Sequence, residues 1–148
     1  MRVLVTGDKG FVGSATCKML VARKHEVVGY DLMDGFDIRD ATQFNRVVES
    51  QRPNRILHLA AVARFSDADA DPQLAHETNV IGSMNVASVA QKHHIPIVYA
   101  STGSIYMPIK QKPPITEDFS ACGNSVYGCT KYLGERYVRL VTPHIILR

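Results

Sequence analysis

Apolar residues along this chain fall into two kinds of run that alternate from one end to the other. Short unbroken runs lie within Arg2–Thr6, Glu26–Tyr30, Arg55–Ala60, Ile97–Ser101 and His144–Leu147, and they predict β-strands. The longer stretches between them space apolar residues three or four apart, which predicts helices. These stretches are Phe11–Arg23 (Phe11, Ala15, Met19 and Ala22 in line, Val12 and Leu20 beside them), Ala41–Ser50 (Phe44, Val47, Val48), Pro72–His94 (Leu74, Val80, Ile81, Val86) and Ser125–Leu140. A weaker signal at Phe36–Ile38 suggests one more short strand. Gly7, Pro53-Asn54 and Pro96 punctuate the pattern, and a Pro-rich loop runs from Pro108 to Gly123. There are no internal repeats. Strands alternating with helices predict βαβ units, a parallel sheet and right-handed connections. Strand runs that are apolar without alternation predict helices on both faces. The fold class expected is therefore α/β, a doubly wound parallel sheet of the Rossmann type.

Composition narrows this picture without changing it. A length of 148 residues suits one domain, and 45% apolar with 21% charged residues excludes a disordered chain. The formal charge of +3, the absence of any five-residue Lys/Arg run and only 7% aromatics give no footprint for nucleic acid or a membrane surface. The apolar run Val3–Val5 near the N-terminus is too short for a signal segment, and no stretch is long enough to span a bilayer. Cys17, Cys122 and Cys129 are odd in number and lack CxxC spacing, and His93-His94 has no cysteine nearby. They read as reduced packing residues of a cytoplasmic protein, with no metal site.

The segment Thr6-Gly7-Asp8-Lys9-Gly10-Phe11-Val12-Gly13 lies between the first strand and the first helix. That is where a dinucleotide pyrophosphate binds, because backbone N–H groups and the helix dipole there attract an anion. Gly7 takes the tight turn, Gly10 lets the backbone approach the phosphates, and Gly13 lets helix and strand pack closely. Phe11 and Val12 supply the first helical N–H groups. The spacing is G-x-x-G-x-x-G, and a glycine triplet without its context would be no more than a strand–helix turn. Asp31 ends the second strand twenty-one residues after Gly10, close to the roughly 20 expected of an acid that binds the adenosine ribose. A carboxylate there accepts from both ribose hydroxyls and repels a 2′-phosphate, which favours NAD over NADP. The alternative is a solvated turn Asp before Asp34-Gly35. Leu32 stands beside Asp31, and Asp37-Ile38 follow a short loop where they can flank the adenine, although a turn Asp accounts for Asp37 nearly as well.

Tyr127 and Lys131 are four residues apart, hence on one face of a helix. A phenol with a pKa of ~10 is a poor base at neutral pH. An adjacent ammonium favours the phenolate; a shift of about three units requires ~4 kcal/mol. Tyr127 so tuned can take a proton while hydride leaves the neighbouring carbon. Taken alone, the pair is equally an ordinary surface pair. Ser101-Thr102 end a strand at the carboxyl edge, where open α/β sheets bind ligands, and a hydroxyl there can hold a reacting oxygen against Tyr127. Ser104 competes for that role.

These residues together resemble the extended short-chain dehydrogenase/reductase family, the NAD-dependent epimerases and dehydratases of nucleotide sugars. The resemblance runs through Thr6–Gly13, Asp31, Asp37-Ile38, His58-Leu59-Ala60-Ala61, Asn79-Val80-Ile81-Gly82, Ser101–Tyr106 and Tyr127–Lys131. It implies Tyr127 as general acid/base, Lys131 as the residue that lowers its pKa and binds the nicotinamide ribose, and Thr102 as the catalytic hydroxyl. It implies that Leu59, Ala60, Ala61 and Ser101 line the cofactor and that Asn79 supports the site from the long helix. Arg64 would fall in the loop over the cofactor, and Glu117-Asp118 in the loop before the last helix. A homodimer is implied through the helices Pro72–His94 and Ser125–Leu140, with Val89, Tyr132, Tyr137 and Val138 as its apolar contacts.

Two departures stand out. Met107 follows Tyr106 where the family has Gly, and family members continue well beyond His144–Arg148. The reading is a dinucleotide-binding domain over residues 1–148 without the substrate domain, a chain that binds NAD and turns over no sugar nucleotide by itself. The activity implied is that of an NAD-dependent nucleotide-sugar 4-epimerase acting on a UDP- or dTDP-sugar. A 4-keto reductase is the near alternative; a dehydratase is disfavoured because Gly103-Ser104, not acids, follow Thr102. A non-catalytic dinucleotide-binding module is the alternative of another class.

Overall fold

The computed structural model of the protein describes residues 1–106, 114–119 and 123–148. Strands β1 (Arg2–Thr6), β2 (Glu26–Tyr30), β3 (Arg55–His58), β4 (Ile97–Ala100) and β5 (His144–Leu147) form one sheet in the order β2-β1-β3-β4-β5, all neighbours parallel. The strand expected near Phe36–Ile38 does not form. Leu32–Asp34 make a 3-10 turn, Gly35 follows at φ 79°, and Gly35 N and Phe36 N donate back to Leu32 O and Asp31 O, so the chain curls where a strand would extend.

The helices are α1 (Phe11–Ala22), α2 (Ala41–Gln51), α3 (Phe65–Ala70), α4 (Pro72–His76), α5 (Ser83–Lys92) and α6 (Val126–Val138). α4 and α5 are the two ends of the expected long helix, joined through a π-helical stretch at Glu77–Gly82 with helical backbone at both junctions. α3 was not expected: it is short, and of its residues only Ala68 is buried. Asp71 then caps α4 by accepting from Leu74 N, with Pro72 in the first turn.

Right-handed crossovers decide which face each helix covers. β1 to β2 steps one way and β2 to β3 steps back past β1, so α1 and α2 lie on opposite faces. On the α2 face the core is continuous: Leu4, Tyr30, Ile56, Ile97 and Tyr99 from the sheet pack with Phe44 and Val48 of α2, Val86 and Ala90 of α5, and Val138 of α6. Tyr30 meets Phe44 edge to face at 4.9 Å between ring centroids.

The other face differs from expectation. α1 covers β1, where Val3 and Val5 are buried, but the apolar line Phe11, Ala15, Met19, Ala22 faces outward; Phe11 is 96% and Met19 56% exposed. Gly13 explains this. A Cβ on it would lie 2.0 Å from Gly7 O, so this residue must face the strand. Residues two before and two after it then stand about 200° round the helix, and the inner face falls to Gly13, Cys17 and Leu20. Among the described residues, nothing beyond α1 packs on this face. Leu57 and Val98 are half-buried, and Ile145 and Leu147 of β5 are 57% and 54% exposed.

Three of the four residues assigned to a dimer surface are spent inside the chain. Val89 and Val138 are buried and Tyr137 packs on the core, because α5 and α6 lie side by side on one sheet face. Met107 and Cys122 lie outside the described residues. Among the described residues no helix is long and apolar enough to cross a membrane, and no group of three His, Cys, Asp or Glu is arranged to hold a metal.

Candidate functional site

A cavity of about 360 Å³ opens at the carboxyl ends of β1, β2 and β3. Its floor is the glycine loop. Gly7, at φ 72°, has Ala60 backbone atoms 2.8 Å from where a Cβ would stand, so the loop after β1 and the loop after β3 touch only because this residue is glycine. Gly10 is the N-cap of α1 and offers no side-chain acceptor, and no acid lies in the first turn. The first intrahelical bond runs from Ser14 N to Gly10 O. The N–H groups of Phe11, Val12 and Gly13 precede it, at the positive end of the helix dipole and at the cavity wall.

Asp31 and Leu32 form the side of the cavity at β2, with Asp37 and Ile38 beyond them, and Leu59, Ala60 and Ala61 form the side at β3. Twelve of the expected cofactor-binding residues are thus gathered here: Gly7, Gly10, Phe11, Val12, Gly13, Asp31, Leu32, Asp37, Ile38, Leu59, Ala60 and Ala61. Asp31 Oδ2 accepts from Lys9 N at 3.0 Å and Oδ1 from Met33 N at 2.9 Å. It is therefore a turn Asp as well, and each oxygen keeps a second lone pair. The Asp37 carboxylate is taken by Arg39, whose Nε and Nη2 lie 2.6–3.1 Å from it and hold its pKa below the usual range. Arg39, Tyr30, Phe36, Val62, Leu74 and Thr78 also line the cavity and had not been picked out. Nothing in their types marks them; loop geometry brings them there.

The π-bulged helix holds both sides of the cavity. Asn79 Oδ1 accepts from Val62 N at 2.8 Å, and its Nδ2 donates to Val62 O and Thr130 Oγ1, both at 3.0 Å. Asn79 therefore supports the wall after β3 and ties it to α6, without itself lining the cavity. One turn on, Gly82 leaves room for Ile38, whose Cδ1 lies 2.6 Å from the position of a Cβ there. Asn85 Nδ2 donates to Ile38 O and Arg39 O at 3.1 and 2.9 Å, holding the opposite wall. π stretches inside helices recur at functional sites.

Ser101, Thr102, Tyr127 and Lys131 also stand outside the cavity, on the β4–α6 side. Gly128 lets the start of α6 approach the 3-10 turn Gly103–Tyr106, with Ser104 O 3.1 Å from where a Cβ would be. Thr102 Oγ1 donates to Ser104 Oγ and accepts from Ser104 N, both at 3.1 Å, so the two competing hydroxyls form one unit. The Tyr127 ring is half-buried and meets Phe65 of α3 edge to face at 5.2 Å. Lys131 is 2% exposed; its Nζ lies 4.1 Å above the Tyr99 ring, and burial pushes its pKa down to about 7. Ser101 Oγ donates to Glu135 Oε2 at 2.9 Å instead of facing the cofactor wall. Burial raises the Glu135 carboxyl, but hydrogen bonds from Arg148, Arg139 and Ser101 outweigh this and leave it below the usual range. Glu135 was not picked out, although its spacing of four from Lys131 extends the Tyr127–Lys131 series. Arg64 is the exposed N-cap residue of α3, and Glu117 O accepts from Arg148 Nη1 at 2.9 Å.

Known proteins are similar to this chain in sequence and in fold. A family model described as RmlD substrate binding domain matches residues 1–148. The UDP-glucose 4-epimerase of Rhizobium meliloti (strain 1021) is 29% identical over 151 residues, covering 93% of this chain and 46% of that protein. The crystal structure of the Thermus thermophilus UDP-glucose 4-epimerase in complex with NAD superposes with a TM-score of 0.92 at 30% identity, covering all of this chain and 54% of that one. The dTDP-4-dehydrorhamnose reductase of Bacillus anthracis, solved with NADP, gives 0.90 at 29% identity over 98% of this chain and 51% of its own. The chain spans about half the length of the relatives it matches. Sequence and fold thus agree over the whole chain, and the chain belongs to the RmlD substrate-binding-domain family, of the extended short-chain dehydrogenase/reductase type.

Proposed function

We propose that the cavity is an NAD site and that the chain supplies the cofactor-binding and proton-transfer half of a nucleotide-sugar 4-epimerase. The observation that carries this is the junction of an uncapped helix start with a carboxylate at the end of β2, both on one cavity wall. Bound there, NAD would supply a reversible hydride acceptor for a sugar carbon. The N–H groups of Phe11, Val12 and Gly13 hold the pyrophosphate, and the remaining lone pairs of Asp31 accept from the adenosine ribose. Tyr127 moves the proton of the sugar hydroxyl, Thr102 orients that oxygen with Ser104 behind it, and Lys131 stands one turn along α6 from Tyr127. The substrate class is a UDP- or dTDP-sugar, the class named in the relatives that match.

A second reading, a 4-keto reductase of dTDP-sugars, is favoured by the family model and by the reductase superposition. Product analysis with UDP- and dTDP-sugars separates the two: an epimer without net oxidation of cofactor, or a reduced sugar with stoichiometric cofactor oxidation. A homodimer through α5 and α6 has Leu133, 43% exposed, and half-buried Tyr132 as its apolar contacts.

Calorimetric titration with both cofactors tests the central reading. NAD should bind saturably and more tightly than NADP. Equal or tighter binding of NADP contradicts the role given to Asp31, and absence of NAD binding contradicts the site.

A further inference from the structure

β3 ends on a histidine that the chemistry above does not use. His58 is fully buried, and both ring nitrogens have partners: Nδ1 lies 2.7 Å from Thr6 Oγ1 and Nε2 3.0 Å from Ser83 Oγ. Hydrogen-bond accounting fixes who donates. Thr6 Oγ1 already accepts from Leu59 N and Ala60 N, both at 3.2 Å. A hydroxyl has two acceptor sites and one hydrogen, so the Thr6 hydrogen goes to His58 Nδ1. Nδ1 is then an acceptor, and Nε2 carries the proton and donates to Ser83. The imidazolium form is excluded on the same ground, because it would aim a third donor at Thr6 Oγ1. Burial, with the Lys131 charge nearby adding to it, agrees by pushing the His58 pKa down to about 3.

The chain of donors continues. Ser83 Oγ and Tyr99 Oη meet beside Gly134, and Tyr99 Oη donates to Lys131 O at 3.3 Å, beneath the Lys131 ammonium that sits on the same ring. Gly134 makes the convergence possible. A Cβ there would stand 2.5 Å from Asn79 O, 2.6 Å from Tyr99 Oη and 3.0 Å from Ser83 Oγ. One directed series thus runs from β1 through β3, α5 and β4 to α6. At one end it holds the backbone of Leu59 and Ala60, which wall the cavity. At the other it holds the helical turn that carries Lys131.

We propose that His58 is a positioning residue: fixed as the Nε2–H tautomer between Thr6 and Ser83, it is the central link of a buried hydrogen-bond chain that couples the cofactor wall at Leu59–Ala60 to the helix carrying Tyr127 and Lys131. The coupling rests on the NAD reading above; the tautomer rests on bond accounting alone. Burial keeps the links short and directional, since each group left unpaired there would lose its bond with no water to replace it.

The test uses the whole chain with 15N-labelled histidine. Two-bond proton–nitrogen spectra should show His58 as the neutral Nε2–H tautomer, unchanged from about pH 8 to about pH 5, where an ordinary histidine titrates. Thr6→Val removes the donor to Nδ1 together with the acceptor for Leu59 and Ala60. It should abolish the single-tautomer signature and weaken NAD binding roughly five- to tenfold, the loss of about one hydrogen bond; Thr6→Ser should restore both. If Thr6→Val does not fold, Ser83→Ala, which removes the Nε2–H acceptor, serves in its place with the same expected losses. An Nδ1–H tautomer, a titration in that pH range, or a folded variant with wild-type spectrum and NAD affinity overturns the inference while leaving the NAD site standing. A wild-type chain that binds no NAD overturns the proposed function and the coupling with it.

Discussion

Asp31 holds Met33 N and Lys9 N with one lone pair on each oxygen, so Asp31→Ala should act twice. It should cost about 1 kcal/mol of stability through the lost turn cap, read by urea unfolding. It should also weaken NAD binding by about 1–3 kcal/mol and erase the preference over NADP, read by calorimetry. Lys131 gives a prediction in pH. Burial lowers its pKa from 10.5 to about 7, so across that window the unfolded chain keeps a proton that the folded chain has released. Stability should therefore rise from about pH 7 towards pH 10, with a slope approaching about 1.4 kcal/mol per unit. Tyr30 and Tyr99, raised by burial, reverse the slope above about pH 10, where only the unfolded chain ionises. Lys131→Met should flatten the rise; an unaltered slope in that variant would show that the ammonium is not the cause. The positions of single residues were legible in the sequence where chemistry and spacing agree: Gly13 lies against the loop after β1, and Asp31 stands at the cavity wall. They were not legible where a side chain's partner decides its task. Ser101 faces Glu135, far along the chain, and nothing local to it announces that partner, while Asp37 is taken by Arg39 two residues on only because the turn between them brings the two side chains together.

The elements around the site are placed by a few close approaches. Gly13→Ala would put a Cβ 2.0 Å from Gly7 O. Helix and loop must then separate, and both a stability loss of about 1–3 kcal/mol or more and loss of NAD binding are expected in parallel melting and titration experiments. Asn79→Ala would strand Val62 N and O and free the α6 tie at Thr130. An unfolding free energy lower by about 2–4 kcal/mol is expected, with NAD affinity falling less than in Gly13→Ala, since Asn79 does not line the cavity. Strand positions were readable because buried parallel strands are apolar throughout. The extents of β1, β2 and β5 match their runs, whereas the runs at Arg55–Ala60 and Ile97–Ser101 overrun β3 and β4 into the loops that build the site. The rotation of α1 was not readable from apolar spacing, because its outward residues Phe11, Ala15 and Met19 keep that spacing too; the close contact of Gly13 overrides it. The π stretch is silent in the sequence for the same reason: it shifts which residues face inward without changing their types.

At the scale of the molecule, one sheet face is fully packed, and among the described residues the other is covered by α1 alone. Phe11, Val12, Met19, Ile145 and Leu147 leave apolar area in contact with water, more than scattered surface residues explain. Concentration-dependent association and binding of an apolar dye are expected, and Ile145→Lys should reduce both; a dye-silent monomer at high concentration would count against this view of the face. The parallel sheet and the cofactor cavity belong to the same topology, since the cavity opens where β2 and β3 leave β1 in opposite directions, the crevice where open α/β sheets take their ligands. The measurement that tests this most directly is a crystal structure of the chain soaked with NAD. It should show the pyrophosphate on the N–H groups of Phe11, Val12 and Gly13, with the adenosine ribose against Asp31. NAD bound elsewhere, or a pyrophosphate clear of the glycine loop, would contradict it.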